Sequence, residues 1–379
     1  MADLEEYRKE IDGIDKELAV LFEKRMNMVL KIAEYKKENK VEIFHKNRED
    51  TVLKKAIDNL QNEDYSDEIV KFFNATMEIG KGLQRRKIEE SKKLVEIEIK
   101  RSEIDKGKKV GFPGVMGSFT EEAAIKFFGD NSDRISYEGF SDIFKAIESG
   151  EVDYGILPIE NSSTGAISEN LDLLRSYGFY IVGEECIRID QNLVGIRGAR
   201  VEDITEVYSH PQGIEQSSDF LRRYQNWKMI PFHNTATSAK LIKDLSDKTK
   251  AAIASKRAAK IYGLEIIKEC INNQKDNYTR FIIISKELNV VKDANKVSVV
   301  FSLENEAGTL YRLLRHFAEN NINMIKIESR PMKDSSWKYF LYVDFEGHIE
   351  SEEVINALKL IETNSAYFKL LGAYEKKVS

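Results

Sequence analysis

The stretch Asn277-Tyr278-Thr279-Arg280-Phe281 sets an amide, a hydroxyl and a guanidinium directly before an apolar run, Ile282-Ile283-Ile284. β-Branched and aromatic residues in that run predict the start of a buried strand. The polar triplet then lies where a loop enters a sheet, a usual place for fixed polar groups to meet a ligand. There a threonine hydroxyl can donate or accept a hydrogen bond and an arginine can hold an anion. Thr279 and Arg280 taken alone also suit the plain closing of a loop, so the elements around them decide.

A second set of chemical residues sits on the N-terminal helices. Leu4, Tyr7, Ile11, Ile14, Leu18, Leu21, Met28, Ile32 and Tyr35 recur at spacings of three and four, which predicts one long amphipathic helix. The position that the pattern skips is Arg25, so a cation falls on the packed stripe, where it must be paired or must hold something. Lys36 lies three turns on along nearly the same face, about 16 Å away in rise. Two long cations so placed can bracket a small dianion, although an interhelical salt bridge would also account for Arg25. A second helix after Asn47 carries Glu49 on its apolar stripe, and a third, from about Ser66 past Arg86, aligns Phe73, Met77, Gly80 and Gln84. Gly80 costs about 1 kcal/mol relative to alanine inside a helix, which points to close approach by a neighbour or ligand. The charged segment 91–107 reads as a connector, either helix continuing as far as Lys106 or a solvated spacer.

From 108 to 288 one device recurs: a short apolar strand, a loop of small polar residues, and a helix start. It is seen at Ser118, with Glu121 placed for a capping box, at Asn161-Ser162-Ser163-Thr164, at Ser209-His210-Pro211-Gln212 and at Asn234-Thr235. Helix N-termini favour carboxylates, so four of them suit a dicarboxylate. Ordinary capping in an α/β fold explains any one alone. His210, beside Pro211, reads as a structural loop residue before a general base. From 296 to 379 the strand and helix patterns run βαββαβ, a ferredoxin-like order.

These features carry three resemblances. The Asn-x-Thr-Arg-Phe string and the four loops are similar to the prephenate dehydratase family, which implies an α/β domain of two lobes, like periplasmic binding proteins, the second spanning about 191–269. The implied catalytic group is Thr279, with Ser118, Asn161, Ser162, Thr164, Ser209, Gln212, Thr235, Arg280 and Phe281 as cleft residues. The helices of residues 1–90, with Arg8, Arg25, Lys36, Arg48, Glu49 and Gln84, resemble the all-α, three-helix chorismate mutase class. That implies carboxylate binding by Arg8 and Arg25, ether-oxygen hydrogen bonds from Lys36 and Gln84, and orientation of the ring hydroxyl by Glu49 beside Arg48. His45 and Gly80 depart from the pattern, standing where an aspartate and a serine are usual. The C-terminal module resembles an ACT domain, an α+β ferredoxin-like sensor, through Gly308-Thr309-Leu310 and Glu328-Ser329-Arg330-Pro331, implying a regulatory L-phenylalanine site. Together they resemble the bifunctional chorismate mutase/prephenate dehydratase family. The implied pathway is chorismate to prephenate to phenylpyruvate, in phenylalanine biosynthesis, with no metal or organic cofactor.

Arg8 and Arg25 lie about 25 Å apart along one helix, too far for both to grip one small molecule. An antiparallel second copy brings Arg8 of one chain toward Arg25 of the other, which predicts an interlocked homodimer. At 379 residues, 42% apolar, with 21 glycines and 5 prolines, the chain suits several folded domains. Its net charge of −6, with both signs interspersed, recommends no nucleic-acid partner. Two cysteines without metal spacing fit a reduced cytoplasm, and the charged N-terminus predicts neither signal peptide nor membrane span. Gly111, Gly114 and Gly117 are spaced by threes, so no dinucleotide fingerprint is present. The opposing reading is a non-catalytic amino-acid sensor whose helices only dimerise; Lys36, Glu49, Gln84 and Thr279 argue against it, because dimerisation needs none of them.

Overall fold

Helix α1 runs without proline over Leu4–Asn39, α2 over Lys46–Asp58 and α3 over Ser66–Glu89. The computed structural model describes residues 4–39, 46–89, 100–101, 103–303, 308–332 and 338–377. The chain divides into two compact units, 1–97 and 98–379. In the first, α3 packs against both α1 and α2, around Met26, Val29, Ala33, Ala56 and Met77. The buried residues of α1 all lie between Met26 and Ala33, in its C-terminal half. Its N-terminal half leaves Leu4, Tyr7, Ile11, Ile14, Leu18 and Leu21 exposed, Leu4 by 61% and Leu21 by 60%.

The connector does not continue as helix to Lys106. Lys100–Arg101 form a short strand, β1, parallel to β13 (Asn289–Val290). Tertiary pairing overrides a charged, helix-favouring composition here.

The first α/β lobe comprises β2 (Val110–Pro113), α4 (Phe119–Phe128), β3 (Arg134–Tyr137), α5 (Phe140–Ser149), β4 (Tyr154–Asn161), β5 (Gly165–Ala166), α6 (Ser168–Tyr177) and β6 (Tyr180–Arg188). The second comprises β7 (Asn192–Gly195), β8 (Glu206–Ser209), α7 (Pro211–Gln216), α8 (Ser218–Leu221), β9 (Lys228–Pro231), α9 (Thr235–Leu245), β10 (Lys250–Ala254), α10 (Lys256–Tyr262) and β11 (Glu265–Lys268). Its own sheet has the order β11-β7-β10-β8-β9. The chain then returns to the first lobe as β12 (Tyr278–Ser285), which lies antiparallel between β4 and β6. Ile282, Ile283 and Ile284 are fully buried there, as the apolar run predicts.

The C-terminal module is β14 (Lys296–Ser302), α11 (Thr309–Glu319), β15 (Met324–Pro331), β16 (Tyr339–Glu346), α12 (Glu352–Thr363) and β17 (Tyr367–Tyr374), the expected βαββαβ order. Its strands continue the sheet of the first lobe, in the order β15-β16-β14-β17-β6-β12-β4-β2-β3. The join is the parallel pair Gly372↔Ile181. A Cβ on Gly372 would overlap the Ile181 carbonyl, so glycine is what lets these two strands meet.

Candidate active sites

Three of the four expected helix starts are present. Ser118 caps α4 with its hydroxyl on Glu121 N, Asn234 caps α9 through Thr237 N, and His210 caps α7 with its imidazole Nδ1 on Gln212 N. Neutral imidazole is the form that accepts, and burial lowers the His210 pKa in that direction. The fourth loop is different: β4 runs on through Pro158 and Glu160 to Asn161, and the next helix begins at Ser168. Residues 161–165 are therefore a tight turn between β4 and β5.

That turn is organised by Asn161. Its Oδ1 accepts from the backbone N–H groups of Ser163 and Thr164, at 3.0 and 3.1 Å, and from the Thr164 hydroxyl. Two backbone donors on one oxygen fix the orientation of the amide, so its Nδ2 faces β12. There Nδ2 lies 2.9 Å from Thr279 Oγ1, 2.8 Å from Asn277 Oδ1 and 3.1 Å from Tyr278 O. An amide nitrogen only donates, so Thr279 Oγ1 accepts in this contact and keeps its own proton for another partner. Thr279 and Asn161 are also direct ladder partners, and both are buried.

The second lobe reaches this group through Gln212, whose Nε2 donates to Thr164 Oγ1 at 2.6 Å. Ser162 packs on the same strand entry, donating to Asp276 O and accepting from Tyr278 N. Ser209 is fully buried and turned into its own lobe, donating to Ile253 O, while Thr235 is the first residue of α9 and half-buried.

Arg280 is not brought to the face of Thr279. Successive strand residues point to opposite sides of a sheet, and the Arg280 guanidinium lies on the other side with Glu160 at 2.8 Å, Asp344 at 3.0 Å and Glu184 at 3.3 Å. Burial opposes its charge, but Asp344, Glu184 and Glu160 outweigh that and raise its pKa. The expected role of fixing substrate carboxylates gives way to a structural ion cluster. Phe281 likewise lies in the core with Phe112, Ile156 and Ile187.

In the helical unit, Arg25 donates to Thr76 O at 3.3 Å, and Arg25 Nη1 lies 3.6 Å from where a Gly80 Cβ would stand. Burial lowers the pKa values of both Arg25 and Lys36, marking two cations partly withdrawn from water. Glu49 pairs with Lys81 at 2.8 Å. Gln84, one turn beyond Gly80, is buried, and its Oε1 has no hydrogen-bond partner among the described residues. Arg8 is exposed on the far half of α1, with Glu5 at 3.4 Å, and Arg48 is exposed as well. His45 lies outside the described residues.

In the C-terminal module, Gly308 takes a left-handed conformation (φ 81°) ahead of α11, and Thr309 Oγ1 accepts from Arg312. Leu310 and Ser329 are exposed, Glu328 is half-buried on β15, and Arg330 is held by Asp172 of α6 at 2.9 Å.

Residues 7–85 match the family described as chorismate mutase type II, residues 110–289 prephenate dehydratase, and residues 297–361 the ACT domain. The bifunctional chorismate mutase/prephenate dehydratase of Aquifex aeolicus is 31% identical over 377 residues, covering 99% of each chain. The chain belongs to the bifunctional chorismate mutase/prephenate dehydratase family. The Neisseria gonorrhoeae member is 35% identical over 270 residues, 71% of this chain and 75% of its own. A solved prephenate dehydratase from Arthrobacter aurescens in complex with L-Phe shares 29% identity at a TM-score of 0.65, covering 71% of this chain and 90% of that one. As in the family, an all-α mutase domain, a two-lobed α/β dehydratase domain and an ACT domain follow one another. Among the described residues no helix is long and apolar enough to cross a membrane.

Within this bifunctional framework the sequence alone gave several residues no role. Asn277 completes the Asn161 contacts, and Lys81 neutralises Glu49. Glu121 does not close the capping box on Ser118. Fully buried, it accepts from Gly117 N at 2.6 Å and takes a bidentate grip from Arg257 of the second lobe at 3.1 and 3.2 Å. Ser255 Oγ donates to Gly117 O across the same junction. The available signal was the spacing of Glu121 with Ala124 and Phe128 on the apolar face of α4, because a carboxylate buried there requires partners.

Proposed function

We propose that chorismate is rearranged in the helical unit by Arg25, Lys36, Glu49 and Gln84, with Arg8 supplied by a second copy, and that prephenate is dehydrated at Thr279. The rearrangement needs no nucleophile, only a compact substrate conformer and donors to the oxygen that gains charge. Arg25 and Lys36 are partly desolvated cations, which favours anion binding at that place. Homodimerisation is supported by the row of exposed apolar residues from Leu4 to Leu21, which lacks a core partner among the described residues of its own unit. Packing against the same helix of another chain buries that row and delivers Arg8.

In the dehydratase domain, the hydroxyl of Thr279 donates to the departing ring hydroxyl of prephenate as carbon dioxide leaves and the ring becomes aromatic. The observation that carries this reading is the Asn161–Thr279 contact, which occupies an oxygen lone pair and leaves the proton free. Ser118, Ser162, Thr164, Gln212 and Thr235, with nearby loop N–H groups, bind the substrate's anionic and polar groups. L-Phenylalanine acts as feedback inhibitor through the segments 308–310 and 328–330 of paired ACT domains.

The test is to supply chorismate alone and follow chorismate, prephenate and phenylpyruvate across a protein dilution series. Phenylpyruvate formed above the uncatalysed rate, with mutase turnover falling on dilution as dimers separate, is expected. Untouched chorismate, and prephenate likewise untouched when it is supplied in turn, would favour the sensor reading, and mutase turnover independent of dilution in a proven monomer would reject the shared site.

A further inference from the structure

The ladder step that carries the catalytic contact on one face of the sheet carries an ion pair on the other. Thr279↔Asn161 are register partners on β12 and β4, and so are their neighbours Arg280↔Glu160, immediately before the register shifts. Both charged neighbours are gripped by the ACT module. Lys326 of β15 lies 2.5 Å from Glu160, and Asp344 of β16 lies 3.0 Å from Arg280. Lys296 of β14 bridges Glu184 at 2.7 Å and Asp344 at 3.7 Å. Ser298 donates to Asp344 at 2.6 Å, and the backbone N–H of Lys377 donates to Glu184 at 2.9 Å.

The dehydratase strands bring one cation, Arg280, and two anions, Glu160 and Glu184; the ACT strands bring two cations, Lys296 and Lys326, and one anion, Asp344. Each half is unbalanced by one charge, in opposite senses, and the whole is neutral. The Glu184 side chain is only 1% exposed and that of Lys296 only 5%. A displaced ACT strand would therefore strand charge inside the dehydratase sheet, which is strongly unfavourable. Simple glue between domains needs no charge at the residues adjoining Thr279 and Asn161, whereas a grip on the catalytic step does.

We propose that Asp344 and Lys326 are positioning residues for dehydration: acting through Arg280 and Glu160, they set Thr279 against Asn161, so that the state of the ACT module is felt at the catalytic hydroxyl. This rests on the assignment of Thr279 under the proposed function. A small misplacement of a reacting group can cost up to about a hundredfold in rate, and effector couplings are typically about 5- to 150-fold.

The experiment compares Asp344→Asn, Lys326→Gln and the conservative Asp344→Glu in the full chain. Because the mutase residues lie in the other compact unit, a chemical denaturation curve of each variant, and not mutase turnover, serves as the check of folding. Expected is a fall of about tenfold in dehydratase kcat with KM for prephenate within about twofold. L-Phenylalanine should still bind by calorimetry while its effect on dehydration shrinks about tenfold, and Asp344→Glu should recover both. Should Asp344→Asn not fold, Lys326→Gln decides, since Glu160 is the one member of the cluster with a substantially exposed side chain, at 37%. Folded variants with unaltered kcat and unaltered response to L-phenylalanine would overturn the proposal, as would a rise in KM at constant kcat. A fall in kcat in the variants, with the unaltered chain indifferent to L-phenylalanine, would support positioning and reject only the feedback reading. Retained dehydration after removal of the Thr279 hydroxyl would reject the assignment of the site itself.

Discussion

Replacing Thr279 by valine separates chemistry from stability at this site. The side chain keeps its shape and loses its hydroxyl. Asn161 Nδ2 carries two hydrogens and has three acceptors in range, so without Thr279 Oγ1 both hydrogens still have partners, Asn277 Oδ1 at 2.8 Å and Tyr278 O at 3.1 Å. No buried donor is orphaned, and the stability cost should stay below about 1 kcal/mol. Removing a donor aimed at a developing oxygen charge costs about 10²- to 10³-fold in kcat, or roughly 3–4 kcal/mol of barrier. Asn161→Ala is the contrasting variant: it deprives the buried Asn277 Oδ1 of its donor and the Ser163 and Thr164 N–H groups of their acceptor. That should destabilise the fold by about 2 kcal/mol or more. The assay gives chorismate to each protein and follows chorismate loss and phenylpyruvate formation beside a chemical denaturation curve. Thr279→Val should consume chorismate normally, accumulate prephenate and unfold near the unaltered midpoint. Dehydration within about fivefold of the unaltered rate would refute the donor role, and a loss of stability equal to that of Asn161→Ala would refute the hydrogen-bond count.

The join between the dehydratase and ACT sheets should depend on one missing methyl group: Gly372→Ala drives a Cβ into the Ile181 carbonyl. Melting should show a loss of about 3 kcal/mol or more, with faster proteolysis between 288 and 296, and an unchanged melt would show that the strands separate freely. His210 gives a pH signature. Burial lowers its pKa, so the folded state binds fewer protons than the unfolded one, and the stability present above about pH 6.5 is lost as pH falls from there through the lowered folded value. His210→Asn keeps a side-chain acceptor for Gln212 N without titrating, so its melting temperature should fall less steeply with acid; parallel slopes would show that His210 is not the source.

The helices were legible because their signal is local. Apolar spacing of three and four marked α1, and it runs from Leu4 to Asn39; the alternating and apolar runs of the ACT strands were as plain. The connector failed for the opposite reason. Lys100 and Arg101 become a strand only because Asn289 and Val290 lie beside them, and two charged residues carry no mark of a partner so far along the chain.

The misplacement of Arg280 has a different cause, since the period that contradicts the expectation was present in the sequence. In a strand, consecutive side chains point to opposite faces, so a string that sends Thr279 toward the Asn161 amide must send Arg280 away from it. The same alternation sends Glu160 away from the side of Asn161. Charged residues embedded in apolar strands, Glu184 and Asp344 among them, then ask for partners, and the sheet supplies those partners from two domains at once. What the linear order could not give is that the strands of a C-terminal module would lie alongside strands formed more than a hundred residues earlier. The face opposite the Thr279 hydroxyl was thus fixed by local geometry, whereas the identity of the charges that hold it was fixed only by assembly.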